Sequence, residues 1–216
     1  MYSFRVLLMV LAGLLVAPFS VLAQTARYDA CMNEARQQPT NGYETALAWQ
    51  AEGGGAAARH CIASALLGMG DLHRAADRLE NLGHAPDIYD DALRAKIFGQ
   101  AAEVYLQLNR ASDALASIEY ALGFQPQNSN FQIDRARSLA ALGKTNDAIN
   151  QLDVVLQKRP DQVLALTLRA TSLIELQQLA KAKIDVDRAM TLKPNDIDVL
   201  LLRGELREAI RLATPG

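Results

Sequence analysis

Apolar positions in this chain recur at spacings of three and four residues, which is the pattern of one buried helical face. From Ala95 onward, Phe98, Ala102 and Tyr105 make such a face. Asn109 then interrupts it, since asparagine tolerates the left-handed backbone that follows a helix end. A second face follows in Ala114, Ile118 and Ala121. Pro126 closes it, because proline has no backbone N–H and its ring clashes with the preceding turn. The spacing predicts two antiparallel helices joined by a tight turn.

The same scheme returns at a fixed interval. Pro126, Pro160 and Pro194 lie 34 positions apart (160 − 126 = 34; 194 − 160 = 34), as do Ala114, Ala148 and Ala182. A period in this range marks stacked supersecondary units. The unit from Ser129 carries Ala136, Leu139, Gly143, Ala148, Leu152 and Val155, and the unit from Val163 carries Ala170, Leu173, Ala182, Val186 and Ala189. An earlier copy starts near Ala56, with Ala63, Leu66, Gly70, Ala75, Leu79 and Leu82, and Pro86 near the expected stop. Ala75 to Ala114 spans 39 positions, five beyond the period, so a longer loop or a longer first helix is expected around His84–Asp91.

Ala63, Ala102, Ala136 and Ala170 on the first helices are expected to face Ala75, Ala114, Ala148 and Ala182 on the second. Only small side chains let two antiparallel backbones approach closely, while larger neighbours fill the space between hairpins. Both ends differ from this pattern. Arg27–Gln38 and Tyr43–Glu52, separated by Pro39-Thr40-Asn41-Gly42, predict an opening hairpin whose Ala46 and Trp49 pack on the next one. At the other end Asn195, with Asp198 three residues on, is expected to cap a closing helix Ile197–Leu212. Its Leu200, Leu201 and Gly204 are expected inward and Arg203, Arg207, Glu208 and Arg211 outward.

The in-phase pattern over about 56–196 resembles the tetratricopeptide repeat family, with units 56–89, 95–128, 129–162 and 163–196 between an opening hairpin 24–55 and a capping helix 197–213. Gln132 stands where a large apolar residue is usual, and Gln177 where the turn glycine is usual. The resemblance implies an all-α, right-handed solenoid whose first helices line a concave groove. Carried over position by position, the groove takes His60, Ser64 and Leu67, then Lys96, Gln100, Glu103 and Leu106. Asn130, Ile133, Asp134, Arg137 and Ala140 follow, and Leu164, Thr167, Leu168, Thr171 and Ile174 complete it. Leu164, Leu168 and Ile174 would form an apolar strip, free for a partner segment or covered by the closing helix. Family members that grip the C-terminal carboxylate of chaperones use Lys, Asn and Arg at positions that here hold His60, Ser64, Gln100, Asn130 and Asp134. That clamp is missing, and an acid at Asp134 repels an anion.

The first 23 residues read differently. Arg5 precedes an apolar run, Val6–Val16, interrupted only by Gly13, and Val21-Leu22-Ala23 follows Pro18. This is the layout of a secretory leader cut after Ala23. An uncleaved membrane anchor is the competing reading, although the run is shorter than the roughly 20 residues that span a bilayer. Export, with the likeness to exported bacterial members of the family, gives a periplasmic expectation. Past residue 23 the formal charge is 21 − 24 = −3, which supplies no basic stripe for nucleic acid.

Cys31 and Cys61 fall in the first helices of adjacent hairpins, which lie side by side, and a disulfide is expected in an oxidising compartment. Two free buried thiols, or a metal site of Cys31, His60 and Cys61, are the alternatives; no fourth ligand stands at useful spacing. Gly53-Gly54-Gly55 lacks the Lys and the preceding strand of a phosphate loop. His60, His73 and His84 are scattered, without a serine elbow or paired acids, so no catalytic constellation and no cofactor are expected. The expected function is a non-catalytic periplasmic adaptor that binds a protein or peptide in its groove. The alternatives are a self-associating structural module, or a redox or metal-handling accessory subunit that uses Cys31 and Cys61.

Overall fold

A computed structural model describes the backbone of residues 18–214 and the side chains of residues 24–214. The apolar core of the expected leader lies outside the described residues. The expected cut after Ala23 falls inside the first helix. All regular structure among the described residues is helical: α1 (Pro18–Gln37), α2 (Pro39–Ala51), α3 (Gly55–Gly68), α4 (Leu72–Gly83), α5 (Asp91–Gln107) and α6 (Ala111–Phe124). These are followed by α7 (Ser129–Ala141), α8 (Thr145–Lys158), α9 (Val163–Glu175), α10 (Leu179–Leu192) and α11 (Ile197–Ala213).

The local chemistry that starts and stops these helices is read directly off the chain. Asp71, Asp90, Asn128 and Asp196 are N-caps whose side chains accept backbone N–H groups left unpaired in the first turn. The closing helix is thus capped by Asp196, with Asp198 N and Val199 N as its donors, and not by Asn195. Inside each of the four repeat hairpins the turn residue is left-handed: Gly70 (φ 76°), Asn109 (φ 57°), Gly143 (φ 72°) and Gln177 (φ 57°). Gln177 adopts the glycine conformation, which accounts for its place at a position that glycine usually holds. Gln132, the other departure, is buried, and its amide donates to the Pro126 carbonyl at 2.8 Å.

Each helix packs on the next, and odd-numbered helices also touch along one side: α1 with α3, α5 with α7, α7 with α9 and α9 with α11. A row whose members meet lies on the inside of the curve, so the odd helices form the inner wall. The core is accordingly a string of four apolar clusters along the stack, the sequential architecture of a repeat protein. Ala63, Ala75, Ala102, Ala114, Ala136, Ala148, Ala170 and Ala182 are all fully buried at the hairpin seams, as their phase predicts. The extra residues of the second full unit go into both a loop, 84–90, and a longer first helix. Arg94 donates to the Gly83 and Ile88 carbonyls, and Arg59 pairs with Asp87, which fastens that loop to α3 and α5.

Two further expectations are corrected. Pro39-Thr40-Asn41-Gly42 is the first turn of α2 and not a separator, since proline at the first helical position lacks only an N–H that would have been unpaired. Gly42 is buried there, and a Cβ on it would stand 2.6 Å from the Ala35 backbone. In α11, Val199, Leu202 and Leu206 point inward at 5% exposure or less, whereas Leu200 and Leu201 are 43% and 60% exposed. The inward residues are those that meet α9 and α10.

Cys31 and Cys61 form a disulfide between α1 and α3, 30 residues apart, and both are buried. Closing a loop of this length stabilises by about 3 kcal/mol. Replacing both cysteines by Ser is therefore expected to lower the urea-unfolding free energy by about that amount, with helical content by circular dichroism unchanged at low urea.

Candidate binding groove

The inner wall places the expected groove residues on α3, α5, α7 and α9, and it sorts them into accessible and inaccessible sets. Glu103, Asn130 and Thr171 are exposed, while Ser64, Gln100, Asp134, Arg137 and Leu168 are half-buried. Leu164 is 49% exposed, a large apolar side chain facing solvent on the first turn of α9. Leu168, one turn on, packs its inner side on the cluster of α7, α8 and α9. Ile174 joins the cluster beneath α11, so the closing helix covers that end of the apolar strip and leaves Leu164 open.

His60 and Ile133 are corrections. Ile133 is 1% exposed and belongs to the core. His60 has no exposure and sits between two neighbours: Tyr28 O–H at 2.7 Å from Nδ1 and the Gln100 side-chain oxygen at 2.7 Å from Nε2. An amide oxygen only accepts, so Nε2 carries the proton and Nδ1 accepts from Tyr28. The three residues come from α1, α3 and α5, so one hydrogen-bonded line runs beneath the groove floor across three successive inner helices. Sequence spacing gave no signal for it, because the extra loop at 84–90 sets the register of α5 on α3. Ser64, one turn from His60, has a buried hydroxyl with no partner among the described residues.

At mid-groove, Arg137 donates to Asp134 at 3.1 Å. Burial pushes the Asp134 carboxyl up, Arg137 pulls it back down, and the charge of Glu103 pushes it up again. The middle of the wall carries two charges of each sign, Glu103 and Asp134 with Lys96 and Arg137, and Asp134 is paired with Arg137. Thr167 and Thr171 spend their hydroxyls on backbone carbonyls of their own helix, at 3.0 and 3.1 Å.

A second ladder repeats at the same period, built from arginines that by spacing alone look like solvated helix surface. Arg135 and Arg169 lie 34 positions apart and each bridges two second helices. Arg135 donates to Glu119 on α6 at 2.7 Å and to Gln151 on α8 at 2.8 Å. Arg169 donates to Asp153 on α8 at 2.5 Å and to both oxygens of Asp185 on α10, at 2.8 and 2.6 Å. The Asp185 side chain is 3% exposed, and this fork gives it a bidentate cationic partner. No group of three or more His, Cys, Asp or Glu stands ready for a metal ion among the described residues, and no helix there is long and apolar enough to cross a membrane.

The tetratricopeptide repeat family model matches residues 105–171. No curated protein matches the chain in sequence. Among solved structures the chain is similar to YrrB, a tetratricopeptide protein with an unusual peptide-binding site, at 16% identity and a TM-score of 0.65, covering 87% of this chain and 98% of that one. A tetratricopeptide repeat protein from Parabacteroides merdae aligns at 21% identity and a TM-score of 0.59, over 69% of this chain and 58% of its own. The first such domain of Spaghetti (RPAP3), bound to the HSP90 peptide SRMEEVD, aligns at 23% identity and a TM-score of 0.52, over 59% and 99%. These likenesses establish the fold.

The buried His60 gives a pH signature. Burial disfavours the imidazolium and holds its pKa below the ordinary 6.5, against a smaller opposing push from the Gln100 hydrogen bond. The unfolded chain takes up this proton near 6.5, the folded protein only at lower pH. The contribution of the neutral ring is thus complete above the unfolded value and is lost as pH falls through the depressed folded one. Urea midpoints are expected to drop between about pH 7.5 and 5.5 in the parent protein and to stay level in His60→Gln over the same interval.

Proposed function

We propose that this chain, which carries tetratricopeptide repeats, is a non-catalytic scaffold that holds an extended or helical segment of another protein against its odd-numbered helices. One observation carries the reading. An accessible apolar residue, Leu164, and the half-buried Leu168 stand beside a half-buried ion pair, Asp134–Arg137, on the same inner wall. Apolar side chains of a bound segment would cover the leucines, while its backbone and polar groups meet Asp134, Arg137 and Asn130.

The acids decide which segments fit. The Spaghetti domain takes an HSP90 peptide with three acidic residues. Here Asp134 is already paired with Arg137, whereas the exposed Glu103 has no ion-pair partner among the described residues, so an anion brought beside Glu103 is unfavourable by Coulomb repulsion. The favoured ligand is therefore apolar with neutral or basic flanks. Gln100 is already engaged by His60 and contributes positioning of the wall rather than a free contact.

The periplasm is the proposed compartment. It is supported by the leader pattern before Gln24 and by a disulfide that needs oxidising conditions to persist.

Photo-crosslinking in whole cells tests the reading. Benzoylphenylalanine placed at Leu164 is expected to give a discrete adduct, and the same probe at Val154 on the outer helix α8 none. The two positions are comparably exposed, at 49% and 41%. Equal adducts at both, or an adduct at Val154 alone, would place the partner on the convex face and refute the groove.

A further inference from the structure

The first full repeat unit departs from the later ones at two positions that those units fill with packed or paired side chains. Arg59 stands where the later units carry Phe98, Gln132 and Leu166, all buried. Arg78 stands where they carry Ser117, Gln151 and Asp185. Each of those three is engaged by a neighbouring helix: Ser117 donates to Glu80 at 2.5 Å, Gln151 accepts from Arg135 and Asp185 accepts from Arg169. Arg78 makes no hydrogen bond or ion pair among the described residues. On this flank of α4 lies a cavity of about 340 Å³, lined by Arg59, Arg74, Asp77, Arg78, Asn81 and Leu82. The matching groove of the last unit has Lys181, Ile184 and Asp185 in place of Arg74, Asp77 and Arg78, and its one guanidinium, Arg169, is held between Asp153 and Asp185. In the first unit no such clamp closes on the cations.

Three guanidinium groups therefore line one cavity. Two are steadied from outside it: Arg59 pairs with Asp87 through Nη2, and Arg74 donates to Asp71 through Nε at 2.6 Å. A guanidinium has five N–H donors, so each of these pairs leaves others unused. The buried Nε of Arg59 has no partner among the described residues. Acceptors stand in the same lining. Asn81 spends its amide N–H on the Asp77 backbone carbonyl at 2.7 Å, which leaves its side-chain oxygen open, and the Asp77 carboxylate makes no ion pair among the described residues. Three arginines against one aspartate give the lining a formal charge of +2.

We propose that this cavity binds a polyol phosphate monoester, with phosphoryl oxygens accepting from Arg59, Arg74 and Arg78 and a hydroxyl donating to Asp77 or Asn81. A phosphate monoester carries close to two negative charges at neutral pH, which the lining charge matches. The planar guanidinium fork suits phosphoryl oxygens in geometry as well as in charge. Asp77 repels a bare oxyanion, whereas a ligand with a hydroxyl uses the same carboxylate as an acceptor. The volume equals that of about ten waters in the liquid, enough for a phosphoryl group on a short polyol. None of the lining residues is among the groove positions, so this site is independent of the partner segment on the inner wall.

Isothermal titration of the protein with glycerol phosphate, inorganic phosphate and glycerol tests the assignment. Glycerol phosphate is expected to bind at a single site and more tightly than inorganic phosphate, and glycerol to give no heat of binding. Arg78→Gln is expected to weaken the ester about tenfold or more. Helical content by circular dichroism should be unchanged in this variant, since the side chain is exposed and unpaired. Asp77→Asn is expected to bring inorganic phosphate level with the ester, because the substitution removes the repulsion that only the ester's hydroxyl offsets. Failure of glycerol phosphate to bind, equal affinity in the parent and Arg78→Gln, or a parent that takes inorganic phosphate as tightly as the ester overturns the proposal. The adduct expected at Leu164 reads the groove alone and stands or falls apart from these titrations.

Discussion

Close approach of paired helices at a seam of small residues is the constraint from which the remaining structure follows. Fully buried alanines on both sides of each hairpin bring the backbones together, and the larger residues next to them, Leu139, Leu152, Leu173 and Val186 among them, are then forced outward into the gap between hairpins. There they pack against the next unit, so stability is distributed along the stack and each cluster depends on its neighbours. The curvature that results keeps the odd-numbered helices in mutual contact, and their remaining face becomes a wall with no helix in front of it.

Polar interactions refine this packing. The arginine bridges at Arg135 and Arg169 tie α6 to α8 and α8 to α10 through the intervening first helix, and the half-buried fork on Asp185 makes the register between α9 and α10 specific. Removing one partner of such a pair leaves a buried charge without compensation, which is more costly than never having had the pair. At the front of the stack the Cys31–Cys61 disulfide and the line from Tyr28 through His60 to Gln100 take over the same task, joining inner helices where the repeat pattern is weakest. The unit with the extra loop is held by Arg94 and Arg59, whose donors satisfy or pair groups that the loop leaves open.

How much of this was legible follows from how each feature is encoded. Seam alanines, proline stops and left-handed turns are encoded locally and at a fixed period, so the hairpins from Ala56 to Asp196 and the disulfide partners could be read from spacing. The Arg135–Arg169–Arg203 series was equally periodic and was missed because arginines on a helix read as solvated surface. The turn at Pro39–Gly42 misled because proline and glycine mark loops by composition, whereas here proline starts a helix and glycine serves a close crossing with Ala35. Leu200, Leu201 and Gly204 read as inward because two leucines and a small residue at these spacings make one helical face; in the structure Val199, Leu202 and Leu206 take the contacts with α9 and α10 instead. The Tyr28–His60–Gln100 line was illegible for a different reason, since it depends on the register between α3 and α5 across a loop that breaks the period.

The most direct measurement compares two substitutions at one repeat position, Ala136→Leu in mid-stack and Gly204→Leu at the open end, by urea unfolding. Ala136 has no exposure, and the added bulk would force α7 and α8 apart, so a loss of about 1–3 kcal/mol is predicted. At Gly204 nothing stands within 4 Å, and leucine should leave stability unchanged or raise it by about 1 kcal/mol through helix propensity. If Ala136→Leu unfolds at the parent's urea concentration, or if both variants lose equally, close packing of small residues is not what organises this protein.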